Sequence, residues 1–450
     1  MRTPAGPGAE RMRWSRRGWL TATAAALPAA ACASPRSRPA AASPVEGVVD
    51  WSLARSRAWL EQLDGGPQRP GEPGWESYWA HVREAFAFGD RRYLNNGSLG
   101  PSPAPVRAAL LDAHARIDAD PEPVLWGELG ARMEAVRERL ARMWNAAAED
   151  FVLVRNTTEG CNLVGAGLRL QRGDQIVLTD REHGGGENGF LFLAERDGAE
   201  IVRAALPEGP DTGPDAMFQA VARVVGPRTR VFALPHIPYS NGMRLPVARL
   251  GALARENGIY FHVDGAHPPG MLPVDVQAFG CDSYASSAHK WYLGPKGTGL
   301  LWLSASARAR LRHPFLRHGT APYNPGSGTR GLHQWIALDA ALEMHERIGA
   351  QRVWRRVVEN RAVLRQGLGA LAGFRPVSSD HPDVVSGLVT FEIEGPRNRE
   401  VAARAHELGV TVKTVGGFGM NALRLTGHVY HAPDEIADAV GRLARAAIGP

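Results

Sequence analysis

Lysine is nearly absent from this chain. Only Lys290, Lys296 and Lys413 occur among 450 residues, and the other 49 of the 52 strong cations are arginine. A guanidinium keeps its proton at any physiological pH, so chemistry that needs an amine nucleophile has three positions to choose from. Cysteine is equally scarce. Cys32, Cys161 and Cys281 are too few for a disulfide framework, and none stands at the Cys/His spacing of a zinc site. Surplus charge is missing from most of the sequence: residues 1–40 hold seven arginines and Glu10, which accounts for the whole formal +6, and the rest balances to neutrality. No basic run of the kind a nucleic-acid surface requires lies outside that leader, so nucleic acid is not expected as a partner. No later uncharged stretch is long enough to span a bilayer.

The leader accounts for the basic pI. Arg11 to Arg17 is a cationic region, Gly18 to Ala33 is uncharged and alanine-rich, and Ala31-Cys32-Ala33 offers small residues for cleavage. That is the layout of a secretory signal over residues 1–33, and Ser15-Arg16-Arg17-Gly18-Trp19-Leu20 resembles the twin-arginine type. The expectation is export to a periplasm or the medium. Lipidation of Cys32 is an alternative, although Ala29-Ala30-Ala31 lacks the large apolar residue that lipidation favours. Cys161 and Cys281, in apolar surroundings, read as buried thiols.

A chain of this length exceeds one ordinary core. Residues 34–74 read as an Ala/Pro/Ser linker with a short helix at Ser52 to Leu63, and 75–105 as an N-terminal segment opening on a helix at WESYWAHVREAF. A helical stretch then runs to about Asn145. From Phe151 short apolar runs (FVLV, QIVLTD, RVFALPHI, IYFHVD, DSYASS, GLLWLS) alternate with helical segments, and a glycine-rich turn follows QIVLTD. The pattern predicts an α/β fold, a mostly parallel sheet sandwiched by helices over 106–345. Residues 346–450 predict a smaller α+β domain: strand GLVTFEIEG, helix NREVAARAHELG, strands VTVKTV and ALRLTGH, and a last helix.

Ligands of such sheets sit beyond the carboxyl ends of the strands, and five polar groups fall there. Lys290, in SSAHKWYLGPKGTG, can form a Schiff base with an aldehyde if burial or a nearby cation lowers its pKa. Asp264, ending IYFHVD, can keep a pyridine nitrogen protonated, as pyridoxal chemistry requires. Asn156-Thr157-Thr158-Glu159-Gly160 offers hydroxyls and backbone N–H groups at a helix start, a seat for a phosphate. His183, in REHGGGENG, can stack on a flat ring, and Ser287 and His289 can complete a phosphate cup. Each residue type is common in plain structural roles, so the argument rests on their conjunction. His236 and His262 read as structural, Lys296 as a turn cation and Lys413 as an exposed strand residue.

The ordered motifs NTTEG, EHGGG, HVDGAH, SSAHKWYLGPKGTG, GSGTRG and LRLTGHVYHAPDEI resemble the class V aminotransferase family of fold-type I pyridoxal phosphate enzymes, over about residues 75 to 448. The resemblance implies Lys290 as the Schiff-base lysine and acid/base, Asp264 on the pyridine nitrogen and His267 on the ring hydroxyl. It further implies Thr158, Ser287 and His289 on the phosphate, His183 on the ring face and Arg424 on a substrate carboxylate. The loop bearing Thr329 would reach a neighbouring subunit's phosphate in a homodimer with shared sites. YLNNGSLGPSP, with Asn96, and the GTR segment look most like the isopenicillin N epimerase-like branch, whereas Tyr239 stands where the family carries an asparagine at the ring hydroxyl. The loop KTVGGFGMN before Arg424 has no cysteine, which disfavours sulfur transfer. Expected, then, is an exported enzyme acting on an amino-acid-like small molecule. Epimerisation, transamination and β-elimination remain open, as does a non-catalytic binding protein on the same fold.

Overall fold

Two faces of one sheet organise the protein. The structure, a computed structural model, describes residues 51–395 and 397–448; the expected signal segment 1–33 and the linker up to residue 50 lie outside the described residues. The strands, in chain order, are β1 (Arg92–Tyr93), β2 (Phe151–Val154), β3 (Gln175–Thr179), β4 (Glu200–Ala204), β5 (Thr229–Pro235), β6 (Tyr260–Asp264) and β7 (Ser283–Ser287). There follow β8 (Gly299–Leu303), β9 (Phe374–Pro376), β10 (Leu388–Ile393), β11 (Val410–Thr411), β12 (Lys413–Val415) and β13 (Ala422–Thr426). The large sheet has the order β2-β8-β7-β6-β5-β3-β4. β8 pairs antiparallel with both β2 and β7, and every other pairing is parallel, so β8 alone is reversed. The expected α/β sandwich is what the chain builds.

Both faces of this sheet are covered, which is why its strands read as continuous apolar runs. Phe151, Leu153, Phe232 and Phe261 belong to one core, packed with Trp144 and Trp335; Val152, Val154, Val231 and Tyr260 belong to the other, with Phe190 and Leu193. On that second face the helices Thr157–Gly167 and Gly184–Asp197 cross at two glycines: a Cβ on Gly165 would collide with the Gly189 backbone. The smaller sheet, β12-β13-β10-β9, is antiparallel throughout and packs against the helices Ala350–Gly369 and Pro433–Ile448.

Four local expectations are corrected. The helical stretch ending near Asn145 is four pieces, Ala104–Ala119, the short Pro121–Pro123, a π-helical turn Val124–Glu128 and Leu129–Trp144, because Pro121 and Pro123 interrupt the backbone ladder. The glycine-rich segment after His183 is the first turn of the helix Gly184–Asp197, capped by the His183 ring. VTVKTV splits in two: β11 pairs parallel with β1 and β12 antiparallel with β13. Lys413 is part-buried on β12 and not an exposed strand residue.

Candidate active site

Six parallel strand ends and one reversed start define the rim on which the polar groups gather. β6 ends at Asp264, whose Oδ1 accepts the Ala266 N–H at 2.9 Å. The other carboxylate oxygen lies against Gly186, where a Cβ would overlap it. Beyond β7 the chain turns at Ala288 and brings Lys290 to the same cavity, whose wall includes Thr157, Thr158, His183, Tyr239, Asp264 and His267. Withdrawal from water pushes the Lys290 amine down to about 8; Arg424 adds to this, and Asp264 opposes it. Burial raises the Asp264 carboxyl, against the pull of Lys290, the Ala266 N–H and His183.

His183 Nδ1 accepts the Gly185 N–H at 3.0 Å, which leaves Nε2 to carry the proton of the neutral ring. Its pKa is held down by partial desolvation first, then by Lys290, with Lys413 and Arg424 adding to it. Tyr239 meets its edge, with ring centroids 5.2 Å apart and planes at 81°. His267 is buried, Nδ1 accepts the Trp291 Nε1–H at 3.2 Å, and Nε2 has no partner. Desolvation and the cation Lys290 hold this ring far below its ordinary pKa, so Nε2 is a buried N–H donor without an acceptor.

Arg424, from the middle of β13, is 2% exposed. Its Nη1 donates to the Tyr239 carbonyl at 2.9 Å, and Nη2 to Ser98 Oγ at 3.2 Å and Asn95 Oδ1 at 3.4 Å. No carboxylate pairs with it among the described residues, and burial lowers its pKa to about 10. Asn96 is fully buried beside this group; its Oδ1 accepts the Tyr430 hydroxyl at 3.2 Å, while Nδ2 is unpartnered.

At the phosphate end the structure narrows the expected set. Ser287 Oγ bonds Thr157 N at 3.0 Å and Thr157 Oγ1 at 2.8 Å, so the ends of β2 and β7 are tied together. Thr158 lines the cavity. Glu159 does not face it: its N–H donates to Asn156 Oδ1 and its carboxylate binds Arg155 Nε at 3.0 Å, a helix-capping arrangement. His289 stands outside the lining, with Nδ1 buried and unpartnered and its carbonyl accepting the Gly100 N–H. Thr329 is exposed and borders a separate hollow with Trp126 and Tyr323.

Other residues of the site carried no motif. Arg181 lines the cavity and is paired with Glu208 at 3.1 Å. Glu182 is buried, accepts from the Thr179 N–H and hydroxyl, and is pushed up to about 8 by desolvation. Gly100 packs on the Lys290 carbonyl and is held by the Lys296 ammonium at 2.6 Å, so Lys296 clamps the N-terminal segment onto the loop of Lys290. His236 and His262 bond Tyr284 and Ser283 within the core, as structural residues do.

The family model described as "Aminotransferase class-V" matches residues 93–429. The chain belongs to this family. It is 31% identical over 384 residues to the isopenicillin N epimerase of Amycolatopsis lactamdurans, covering 80% of this chain and 96% of that one. A probable cysteine desulfurase of Methanothermobacter thermautotrophicus is 28% identical, over 72% of this chain and 84% of its own. Among solved structures, a C-DES mutant with glycine covalently linked to its PLP cofactor superposes with a TM-score of 0.73 at 25% identity, over 80% of this chain and 98% of that one. This class V aminotransferase is a pyridoxal-phosphate-dependent enzyme, and the residues present fit the cofactor. A buried donor on His267 lacks an acceptor, a lysine amine is depressed toward neutrality, and Gly186 leaves the Asp264 carboxylate uncovered.

Proposed function

We propose that this class V aminotransferase is an exported enzyme that moves the Cα proton of an amino-acid-like substrate, by epimerisation or transamination. The observation that carries the reading is Arg424, a buried guanidinium without an acidic partner among the described residues, bonded to the carbonyl of the cavity residue Tyr239 and close enough for its charge to lower the Lys290 amine. Its planar fork suits a carboxylate held in two-pronged fashion, with Asn96 and Tyr239 beside it. When bound, pyridoxal phosphate supplies an electron sink for the bond broken at Cα. Asp264 would hold the ring nitrogen's proton, and the His267 Nε2–H would donate to the ring hydroxyl oxygen, the place where Tyr239 brings no side-chain amide. His183 would cover the ring, and Thr158, with Thr157, Ser287 and His289 behind it, would seat the phosphate. Lys290, whose amine is lowered to about 8, would be the base that takes the Cα proton.

Similarity along nearly the whole length of an isopenicillin N epimerase supports the epimerase branch. A desulfurase reading lacks its nucleophile, since the loop Gly416 to Met420 holds no cysteine and both Cys161 and Cys281 are buried thiols. Exposure of Thr329 on a loop that Arg330 anchors to the Leu153 carbonyl supports its reach to a second subunit in a homodimer. Export rests on the leader.

The test is a panel of L- and D-amino acids in deuterated water, with and without keto-acid acceptors. Deuterium at Cα without keto acid supports epimerisation, and keto acid supports transamination. A protein without a visible cofactor band that borohydride abolishes at Lys290, or one that exchanges no Cα proton, overturns the reading in favour of a binding protein. Cell fractionation and light scattering test export and the dimer.

A further inference from the structure

The strand pairing sets two cations side by side. β12 is the edge strand of the small sheet, and its register with β13 places Lys413 directly opposite Arg424. Directly opposed residues of an antiparallel pair point to the same face, with Cβ atoms about 5 Å apart. The other face is the apolar core, where Leu423 and Leu425 are buried and Val412 packs. Arg424 occupies the deep position and Lys413 the part-buried rim. Lys413 also lies close enough to the active site for its charge to depress the His183 imidazolium, as Arg424 does. It makes no hydrogen bond or ion pair among the described residues.

Like charges directly opposite on a sheet destabilise it, and the neighbouring acids are committed elsewhere. Glu208 pairs with Arg181 and Glu187 with Arg203. An α-carboxylate neutralises one cation, and the buried fork of Arg424 is the one shaped for it. Lys413 remains as a surplus, part-buried charge beside Arg424 and within electrostatic reach of His183.

We propose that Lys413 binds an anionic group at the end of the substrate's side chain, so that the preferred substrate is an amino acid with a second, distal carboxylate. The inference rests on the reading of Arg424 as the α-carboxylate site. A compact ammonium on a flexible stem suits a side-chain carboxylate of variable reach, for which it needs no fixed angle.

The experiment is titration calorimetry of the holoenzyme with glutamate against glutamine and aspartate against asparagine, in both hands, on wild type, Lys413→Gln and Lys413→Arg. Each pair differs by one charge at nearly constant shape. The acid of at least one pair is expected to bind about tenfold tighter than its amide, the weight of one charge-assisted contact in a part-solvated site. That preference should fall to within about twofold in K413Q, return in K413R, and leave the amides' affinity unchanged. Equal weakening of acids and amides in K413Q would mean that Lys413 shares the α-carboxylate, and would overturn the inference. So would wild-type binding of the amino acids with no acid preference, and in both cases the functional reading survives. If no amino acid binds the holoenzyme, that reading falls as well. The wild-type series alone decides the matter if K413Q does not fold, which circular dichroism would report.

Discussion

Recapture of pyridoxal phosphate by the cofactor-free protein reads the electrostatics at Lys290 directly, because only the neutral amine attacks the aldehyde. Desolvation brings this amine from an ordinary 10.5 to about 8. At pH 7 about a tenth of it is then neutral, against about 0.03% for an unperturbed lysine, a gain of roughly 300-fold in reactive amine. Stopped-flow absorbance of cofactor incorporation, followed from pH 6 to 10, should rise about tenfold per pH unit and level off near 8. Two substitutions displace the midpoint in opposite directions. Arg424 pushes the amine down, so Arg424→Gln should move the midpoint up; Asp264 holds the ammonium, so Asp264→Asn should move it down. A midpoint near 10.5, or displacement of both variants in the same direction, would refute the account of Lys290 as an amine tuned by burial and these two charges.

Glu182 gives a stability signature. Its folded-state pKa of about 8 lies above the ordinary 4.5, so the native state holds the extra proton between those values and stability is lost as pH rises from about 4.5 to 8. The loss is at most about 5 kcal/mol, and Glu182→Gln, which keeps the acceptor for the Thr179 N–H and hydroxyl, should flatten urea unfolding against pH. Gly186→Ala places a methyl group on the Asp264 carboxylate; cofactor affinity should fall about tenfold or more while the apoprotein keeps its fold by circular dichroism. Gly165→Ala drives a Cβ into the Gly189 backbone where two helices cross, and should cost about 1–3 kcal/mol in chemical denaturation with the cofactor band intact.

The central strands were legible because sheet and helices cover them on both sides: FVLV is buried at all four positions and reads as nothing but apolar. Edge strand β4 escaped notice, since Glu200 and Arg203 face water and break its run. The glycines after His183 read as a turn by composition, yet Gly186 and Gly189 are needed inside the helix, one for the Asp264 carboxylate and the other because a Cβ there would stand 2.7 Å from the Cys161 carbonyl. Glu159 shows the converse. It sits in a motif with phosphate-binding look, and local capping geometry turns its carboxylate to Arg155. Motifs at strand ends announce themselves because the chain supplies them in one piece. The surroundings of Arg424 do not, because Asn95 and Ser98 come from more than 320 residues away and Lys413 joins them through strand register.

Five arginines are buried among the described residues, and their partners separate structure from function. Arg137 pairs with Glu134, Arg356 with Glu76 and Glu359, and Arg361 with Asp380. Arg352 rests on the Tyr78 ring and donates to its hydroxyl. Arg424 alone is left with a backbone carbonyl, an amide oxygen and a hydroxyl, and its Nε bonds nothing. Burying a guanidinium in this way is unfavourable for the folded chain, and three of the other four buried arginines are neutralised by acids, while the fourth, Arg352, is covered by an aromatic ring. The charge of Arg424 is felt by the Lys290 amine, and a substrate carboxylate bound between them would supply the missing counter-ion. Binding and folding therefore make opposite demands on one side chain, and Arg424→Met should raise the thermal stability of the free enzyme while abolishing carboxylate recognition.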